Sequence, residues 1–139
     1  MERSMTDKRE AAAEARARRV MILEDDEATA ELIRFYLQEE GYETAVALIG
    51  KDFARKVAAY RPDLITIDVI LPDVSGFSVF KTLQENEATR DIPIVFITVR
   101  ESTKEQGLAM GAAGYVVKPF SEGDLKATIR SALGAAQQP

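Results

Sequence analysis

The chain has 139 residues, 46% of them hydrophobic and 29% charged, with a net charge of −5. That length fits one domain able to bury a full core, and the acidic balance argues against a nucleic-acid-binding surface, which needs a basic patch. Cysteine and histidine are both absent, which excludes disulfides, thiolate or imidazole metal sites and histidine-based catalysis within this chain, so any metal must be held by oxygen.

Residues 1 to about 19 carry six Lys/Arg against four Asp/Glu, so the acidity lies in the remainder. Lys8 to Arg19 is rich in Ala, Glu and Arg, all good helix formers, and Glu14 and Arg18 have the spacing of an i,i+4 pair. The stretch has no large apolar stripe to dock. It reads as a charged extension over 1–19, helical or disordered, ahead of a domain over 20–136. No apolar run reaches the roughly 18 residues of a membrane span, and the N-terminus lacks the apolar core of a secretory signal. A cytoplasmic location is the expectation.

From Val20 onward short apolar runs alternate with amphipathic stretches, the pattern of a parallel α/β sheet. Strands are predicted near 20–24, 43–48, 64–68, 93–97 and 114–117, and helices near 27–39, 51–60, 76–86, 103–110 and 122–134. Spacings of three and four assign the core faces: Ala28, Leu32 and Phe35 in the first helix, Phe53 and Val57 in the second, Phe77 and Phe80 in the third, and Leu125, Ile129 and Leu133 in the fifth. Gly41 and Gly111 stand where helices end on a left-handed glycine. Ser102 with Glu105, and Ser121 with Asp124, resemble capping boxes.

Three of the apolar runs end on charge. Val20-Met21-Ile22-Leu23 runs into Glu24-Asp25-Asp26, Leu64-Ile65-Thr66-Ile67 into Asp68, and Tyr115-Val116-Val117 into Lys118-Pro119. An ionised residue at the end of a buried strand is costly unless something meets its charge, and in parallel sheets the carboxyl ends of the strands are where ligands bind. Helix capping explains one of the three adjacent acids. Like charges so close raise each other's pKa unless a cation relieves them, which points to a hard divalent cation. Asp68, flanked by apolar residues, is a candidate nucleophile, because carboxylates form acyl phosphates; a loop cap or a single lysine pair is its structural alternative. Phosphatase chemistry of the Asp-x-Asp kind is disfavoured, since the second acid position is Ile70. Lys118 suits neutralisation of a phosphoryl group, and the Lys118–Pro119 bond has access to the cis form. Thr98 ends the fourth apolar run with a hydroxyl able to donate to a phosphoryl oxygen, although threonine is common in strands. Tyr115 by itself reads as half-buried packing. No glycine-rich nucleotide loop is present.

The segments ILEDDE, DLITIDVILPDVSG, IPIVFIT and GYVVKPF, in that order and spacing, resemble the receiver domain of two-component response regulators, over about Val20 to Leu133. The resemblance implies a flavodoxin-like doubly wound (βα)5 fold, with a five-stranded parallel sheet in the order 2-1-3-4-5. It implies Asp68 as phosphoacceptor, with Asp25, Asp68 and the backbone carbonyl of Ile70 as ligands of Mg²⁺ and Glu24 acting through a water. Lys118 would bind the phosphoryl group, Thr98 would follow it on activation, and Tyr115 would be an aromatic switch. Without a histidine of its own, the chain would take its phosphoryl group from a sensor histidine kinase or a histidine phosphotransfer protein. It would signal to a downstream effector protein as a monomer or weak dimer, without direct nucleic-acid contact or membrane insertion.

A stand-alone phosphoacceptor domain, not a metabolic enzyme, is the expectation. The alternatives are a receiver excised from a larger regulator and a pseudo-receiver that binds partners without being phosphorylated. Four features depart from the family pattern. Val99 comes after Thr98 where a small residue is usual, and Ile70 stands two past Asp68 where methionine is common, although only its carbonyl is needed. The stretch from Thr98 to Tyr115 is about two residues short, and Ala113-Gly114 replaces the paired acids of DNA-binding members.

Overall fold

In a computed structural model, which describes residues 16–136, strands and helices alternate along the chain. In order they are β1 (Arg19–Leu23), α1 (Glu27–Glu39), β2 (Glu43–Ala47), α2 (Phe53–Tyr60), β3 (Leu64–Ile67), α3 (Gly76–Gln84), β4 (Ile94–Thr98), α4 (Lys104–Ala109), β5 (Gly114–Val117) and α5 (Glu122–Ala136), with a 3-10 turn (Glu101–Thr103) leading into α4. The strands form one parallel sheet in the order β2-β1-β3-β4-β5, the expected flavodoxin-like arrangement. The order reverses between β1 and β3, and this is where such sheets open a crevice at their carboxyl edge.

Alternate residues of each strand feed opposite faces. Met21, Leu23, Ile65, Ile67 and Phe96 pack with Phe53 and Val57 of α2 and Phe80 and Leu83 of α3. Val20, Ile22, Leu64, Val95 and Ile97 pack with Ile33 and Leu37 of α1 and Leu125, Ile129 and Leu133 of α5. Both faces are covered, which is why the central strands read as continuous apolar runs.

The predicted faces of the second, third and fifth helices are buried, with Phe77 half-buried at the edge of its cluster. The first helix is turned the other way. Ala30, Ile33 and Leu37 face the sheet, whereas Leu32 is 42% and Phe35 58% exposed, and Ala28 is exposed too. Both stripes have helical spacing and both are apolar, so periodicity does not choose between them; docking onto β1 does. Gly41 and Gly111 have φ of 88° and 107° as C-terminal glycines. Ser121 caps α5 by accepting from the Asp124 N–H at 3.0 Å. Ser102 caps nothing, because the 3-10 turn takes residues 101–103 and α4 starts at Lys104 without a side-chain cap.

The strand β1 begins one residue before the predicted boundary, at Arg19. Its N–H donates to Asp63 Oδ2 at 2.8 Å and its guanidinium to the Tyr60 carbonyl at 2.6 Å, while Arg16 pairs with Asp63 at 3.1 Å. The expectation for residues 1–15, including the Glu14–Arg18 pair, lies outside the described residues.

The orientation of α1 has a direct test. Leu37→Ala is expected to cost about 3 kcal/mol of unfolding free energy, whereas Phe35→Ala should cost less than about 1 kcal/mol. Chemical denaturation of the two variants checks this; equal losses would place Phe35 in the core.

Candidate functional site

Register brings the charged strand ends together. Leu23 lies opposite Ile67, so Glu24 and Asp68 emerge side by side, and their N–H groups extend the ladder to the Ala47 and Leu23 carbonyls at 3.1 and 3.0 Å. Thr98 lies opposite Val117, and the Lys118 N–H donates to the Thr98 carbonyl at 2.9 Å. The Lys118–Pro119 peptide is cis. From this position the Lys118 ammonium donates to Asp68 Oδ2 at 2.8 Å and to Glu24 Oε1. The second oxygen of each acid is held by backbone: Glu24 Oε2 accepts from the Asp26 N–H at 3.1 Å and Asp68 Oδ1 from the Ile70 N–H at 3.0 Å. Glu24 is only 1% and Asp68 6% exposed.

The three consecutive acids have separate roles. Asp26 is the N-cap of α1, accepting from the Thr29 N–H at 3.0 Å and from the Thr29 hydroxyl, and the hydroxyl bond is the larger cause of its lowered pKa. Carboxylate oxygens of Glu24, Asp25 and Asp68 lie within 4.8 Å of one another. That span is near twice a hard cation's metal–oxygen distance of about 2.0–2.6 Å, and an all-oxygen donor set is what Mg²⁺ takes. Asp25 is exposed and opens this cluster to solvent.

Two glycines that carry no periodic signal shape the surroundings. A Cβ on Gly76 would lie 2.2 Å from the Asp68 carbonyl oxygen, so only glycine lets α3 start against the site. A Cβ on Gly107 would lie 3.1 Å from the Tyr115 ring and 3.3 Å from Phe96. The bare backbone of α4 therefore gives Tyr115 its inward seat. Its hydroxyl donates to the Arg100 carbonyl and lies 2.6 Å from Thr103 Oγ1. Thr98 is fully buried, and its Oγ1 receives a long 3.5 Å contact from the Arg100 N–H, so Arg100 backbone links Thr98 to Tyr115. Arg100 and Thr103 carry no sequence signal for this role, because the first contributes backbone and the second lies five residues past Thr98.

Burial pushes the Glu24 carboxyl up to about 7, against the lowering effect of the Lys118 hydrogen bond. Burial also disfavours the Lys118 ammonium, but the bonds it donates to Asp68 and Glu24, with their charges, outweigh that and the net shift is upward. A carboxyl raised from 4.5 to about 7 holds its proton more tightly in the folded state. Its contribution to stability is present in full below pH 4.5 and is lost as pH rises through about 7. In metal-free buffer, the stability of wild type relative to Glu24→Gln is expected to fall by on the order of 3 kcal/mol across that window. Denaturation of both proteins from pH 4.5 to 8 measures it, and a pH-independent difference would mean that Glu24 is an ordinary ionised carboxylate.

The family model for the response regulator receiver domain matches residues 20–130. The phosphate regulon transcriptional regulatory protein PhoB of Rhizobium meliloti is 37% identical over 121 residues, 86% of this chain and 53% of that protein. The chain thus spans about half the length of the curated relatives it matches. Among solved structures, a response regulator of Chloroflexus aurantiacus has a TM-score of 0.81 at 28% identity, covering 86% of this chain and 99% of its own. The receiver domain of sensor histidine kinase PA1611 from Pseudomonas aeruginosa, solved with a magnesium ion coordinated in its active-site cleft, has a TM-score of 0.77 at 25% identity over 86% of this chain and 99% of its own. With this sheet order, this acidic edge and these relatives, the chain belongs to the response regulator receiver domain family.

Proposed function

We propose that the chain accepts a phosphoryl group on Asp68 from a phosphohistidine of a sensor histidine kinase or a histidine phosphotransfer protein, in a Mg²⁺-dependent reaction. The observation that carries this reading is the setting of Asp68: a nearly buried carboxylate, fixed by the Ile70 N–H and Lys118, beside two further acids at the sheet edge. Asp25, Asp68 and the Ile70 carbonyl would hold the cation, with Glu24 acting through a water, and the bound cation would neutralise phosphoryl oxygens. Phosphoryl transfer depends mainly on positioning and charge neutralisation. An Asp68 oxygen attacks phosphorus, the new P–O bond forms as the donor's P–N bond breaks, and the imidazole leaves on the partner. Lys118, already on Asp68 Oδ2, is placed to follow the added charge onto the phosphoryl oxygens.

Phosphorylation adds about two negative charges at Asp68. Thr98 then turns its hydroxyl toward them, which disturbs its contact with the Arg100 N–H and so the hold of Arg100 on Tyr115. The face around α4 and β5 is the output surface, read by a downstream effector protein. The domain acts over 20–136 with 1–19 as an extension, as a cytoplasmic monomer or weak dimer that signals through protein contacts instead of turning over a metabolite. No described helix is long and apolar enough to cross a membrane.

With Mg²⁺, acetyl phosphate or a phosphohistidine donor is expected to label the chain with an acid-stable, base-labile acyl phosphate. Asp68→Ala should abolish labelling, and Lys118→Ala should impair the response to labelling more than labelling itself. Mass spectrometry after each reaction decides it; label retained by Asp68→Ala refutes the assignment.

Val99, directly after Thr98, is 60% exposed, and its β-branched side chain is stiff. Val99→Ala is therefore expected to speed both labelling by small donors and loss of the phosphoryl group. The two rate constants at fixed Mg²⁺ test this, and unchanged or slower rates would mean that Val99 lies off the path of donor and water.

A further inference from the structure

The turn between β3 and α3 carries Ile70, and it is closed upon itself. Ile70 and Ser75 form an antiparallel bridge, the Gly76 N–H donates to the Val69 carbonyl at 2.8 Å, and the Ile70 N–H donates to Asp68 Oδ1 at 3.0 Å. Its tip, Pro72 to Val74, is exposed. The tip is also tied to another loop. Asp73 Oδ1 accepts from the Gly50 N–H at 3.0 Å and Oδ2 from the Lys51 N–H at 2.8 Å. Val74 closes the same joint, because a Cβ on Gly50 would lie 2.3 Å from Val74 Cγ2.

This joint connects the turns that come after β2 and β3, and in the sheet those two strands flank β1, whose end bears Glu24 and Asp25. The two loops are thus tied together beside the strand that supplies two of the three clustered acids. The Asp73 carboxylate is held below its usual pKa, chiefly by the Gly50 N–H, so it stays ionised and the joint stays made at neutral pH.

We propose that Asp73 is a positioning residue for the divalent-cation site: by clamping the β3–α3 turn to the β2–α2 turn, it fixes where the Ile70 carbonyl lies relative to Asp68 and Asp25. This rests on the proposed binding of a divalent cation at Asp25 and Asp68. A purely structural role is the alternative, because Gly50 and Lys51 precede α2, whose own N-cap, Asp52, makes no side-chain cap bond. Asp73 would then serve only as a cap lent from a neighbouring loop. The two roles predict different things for a protein that remains folded. A lent cap changes the unfolding temperature and leaves cation affinity alone, whereas a positioning residue changes the affinity at temperatures where every molecule is folded.

The test is calorimetric titration of Mg²⁺ into the full chain at 15 °C, for wild type, Asp73→Ala, Asp73→Asn and Gly50→Ala, with circular dichroism to confirm folding. Partners that orient metal ligands typically change affinity 10- to 100-fold, so Asp73→Ala is expected to weaken Mg²⁺ binding about 10-fold. Asp73→Asn, which keeps one carbonyl acceptor, should fall between Asp73→Ala and wild type. Gly50→Ala should also weaken binding, because it displaces Val74 and leaves every charge in place. If the folded Asp73 variants bind within about two-fold of wild type, Asp73 is only a cap of α2 and the proposal is wrong. If Asp73→Asn is as weak as Asp73→Ala while Gly50→Ala binds like wild type, the effect is loss of a nearby negative charge, which also overturns it. Should Asp73→Ala not fold, the ordering of Asp73→Asn and Gly50→Ala against wild type decides the matter. Failure of wild type itself to bind Mg²⁺ would sink the metal reading and this inference with it, a result separable from all the others.

Discussion

The ammonium of Lys118, held between the carboxylates of Asp68 and Glu24, is the constraint around which the carboxyl edge of this sheet is built. Two acids this deeply buried are costly alone, and breaking a buried ion pair leaves an uncompensated charge. The lysine offsets that cost only because its long side chain reaches both acids. Register sets this: Leu23, Ile67, Phe96 and Tyr115 lie level, so Glu24 and Asp68 emerge side by side, while Lys118 stands two residues further along β5 and reaches back to them. One positive charge against the negative charge of Glu24, Asp25 and Asp68 still leaves the edge short of neutral. The raised pKa of Glu24 comes chiefly from burial, with the charge of Asp68 a minor contributor, and an oxygen-rich edge of this kind suits a divalent cation.

Helix starts around the edge are arranged to leave those acids free. Asp26 is taken by the cap of α1, which separates it from Glu24 and Asp25 despite their adjacency. Ser75 caps α3 through the Phe77 N–H, and Gly76 brings that helix against the Asp68 carbonyl. Away from the edge, the link to the distal face runs through backbone: Thr98 to the Arg100 N–H, the Arg100 carbonyl to Tyr115, and the Tyr115 ring onto Gly107. Apart from its 3-10 lead-in, α4 is only six residues long, and its one buried residue is that glycine. A helix held by so little apolar contact is drawn from the low-stability end of a fold.

The fold class, the five strands and the edge that bears the chemistry are legible in the residues. Buried parallel strands are written as apolar runs, and an ionised residue closing such a run is conspicuous. Glu24, Asp68 and Lys118 meet as the motifs imply, and the cis form open to Lys118–Pro119 is present. Three local expectations differ from the structure for separate reasons. On α1, two apolar stripes of the same period compete, and the stripe of Ala28, Leu32 and Phe35 loses to that of Ala30, Ile33 and Leu37. At Ser102 the shortened segment makes a 3-10 turn in place of a capping box. Arg19 joins β1 because Asp63 and Tyr60, more than forty residues away, are there to receive it.

By itself the sequence determined those features that depend on neighbours along the chain: period, breakers, caps such as Asp26 and Ser121, and the type of charge at each strand end. Only the tertiary structure decided the features that depend on groups brought together from distant segments. Which stripe of α1 faces inward, how Asp73 reaches Gly50 and Lys51, and why position 107 has little room for a side chain are all set across the sheet. The physical reason is that the first depends on which apolar side chains meet the sheet, the second on backbone amides of another loop, and the third on the space left beside the Tyr115 and Phe96 rings. None of these is encoded in the identity of a single residue until the sheet has fixed its partner.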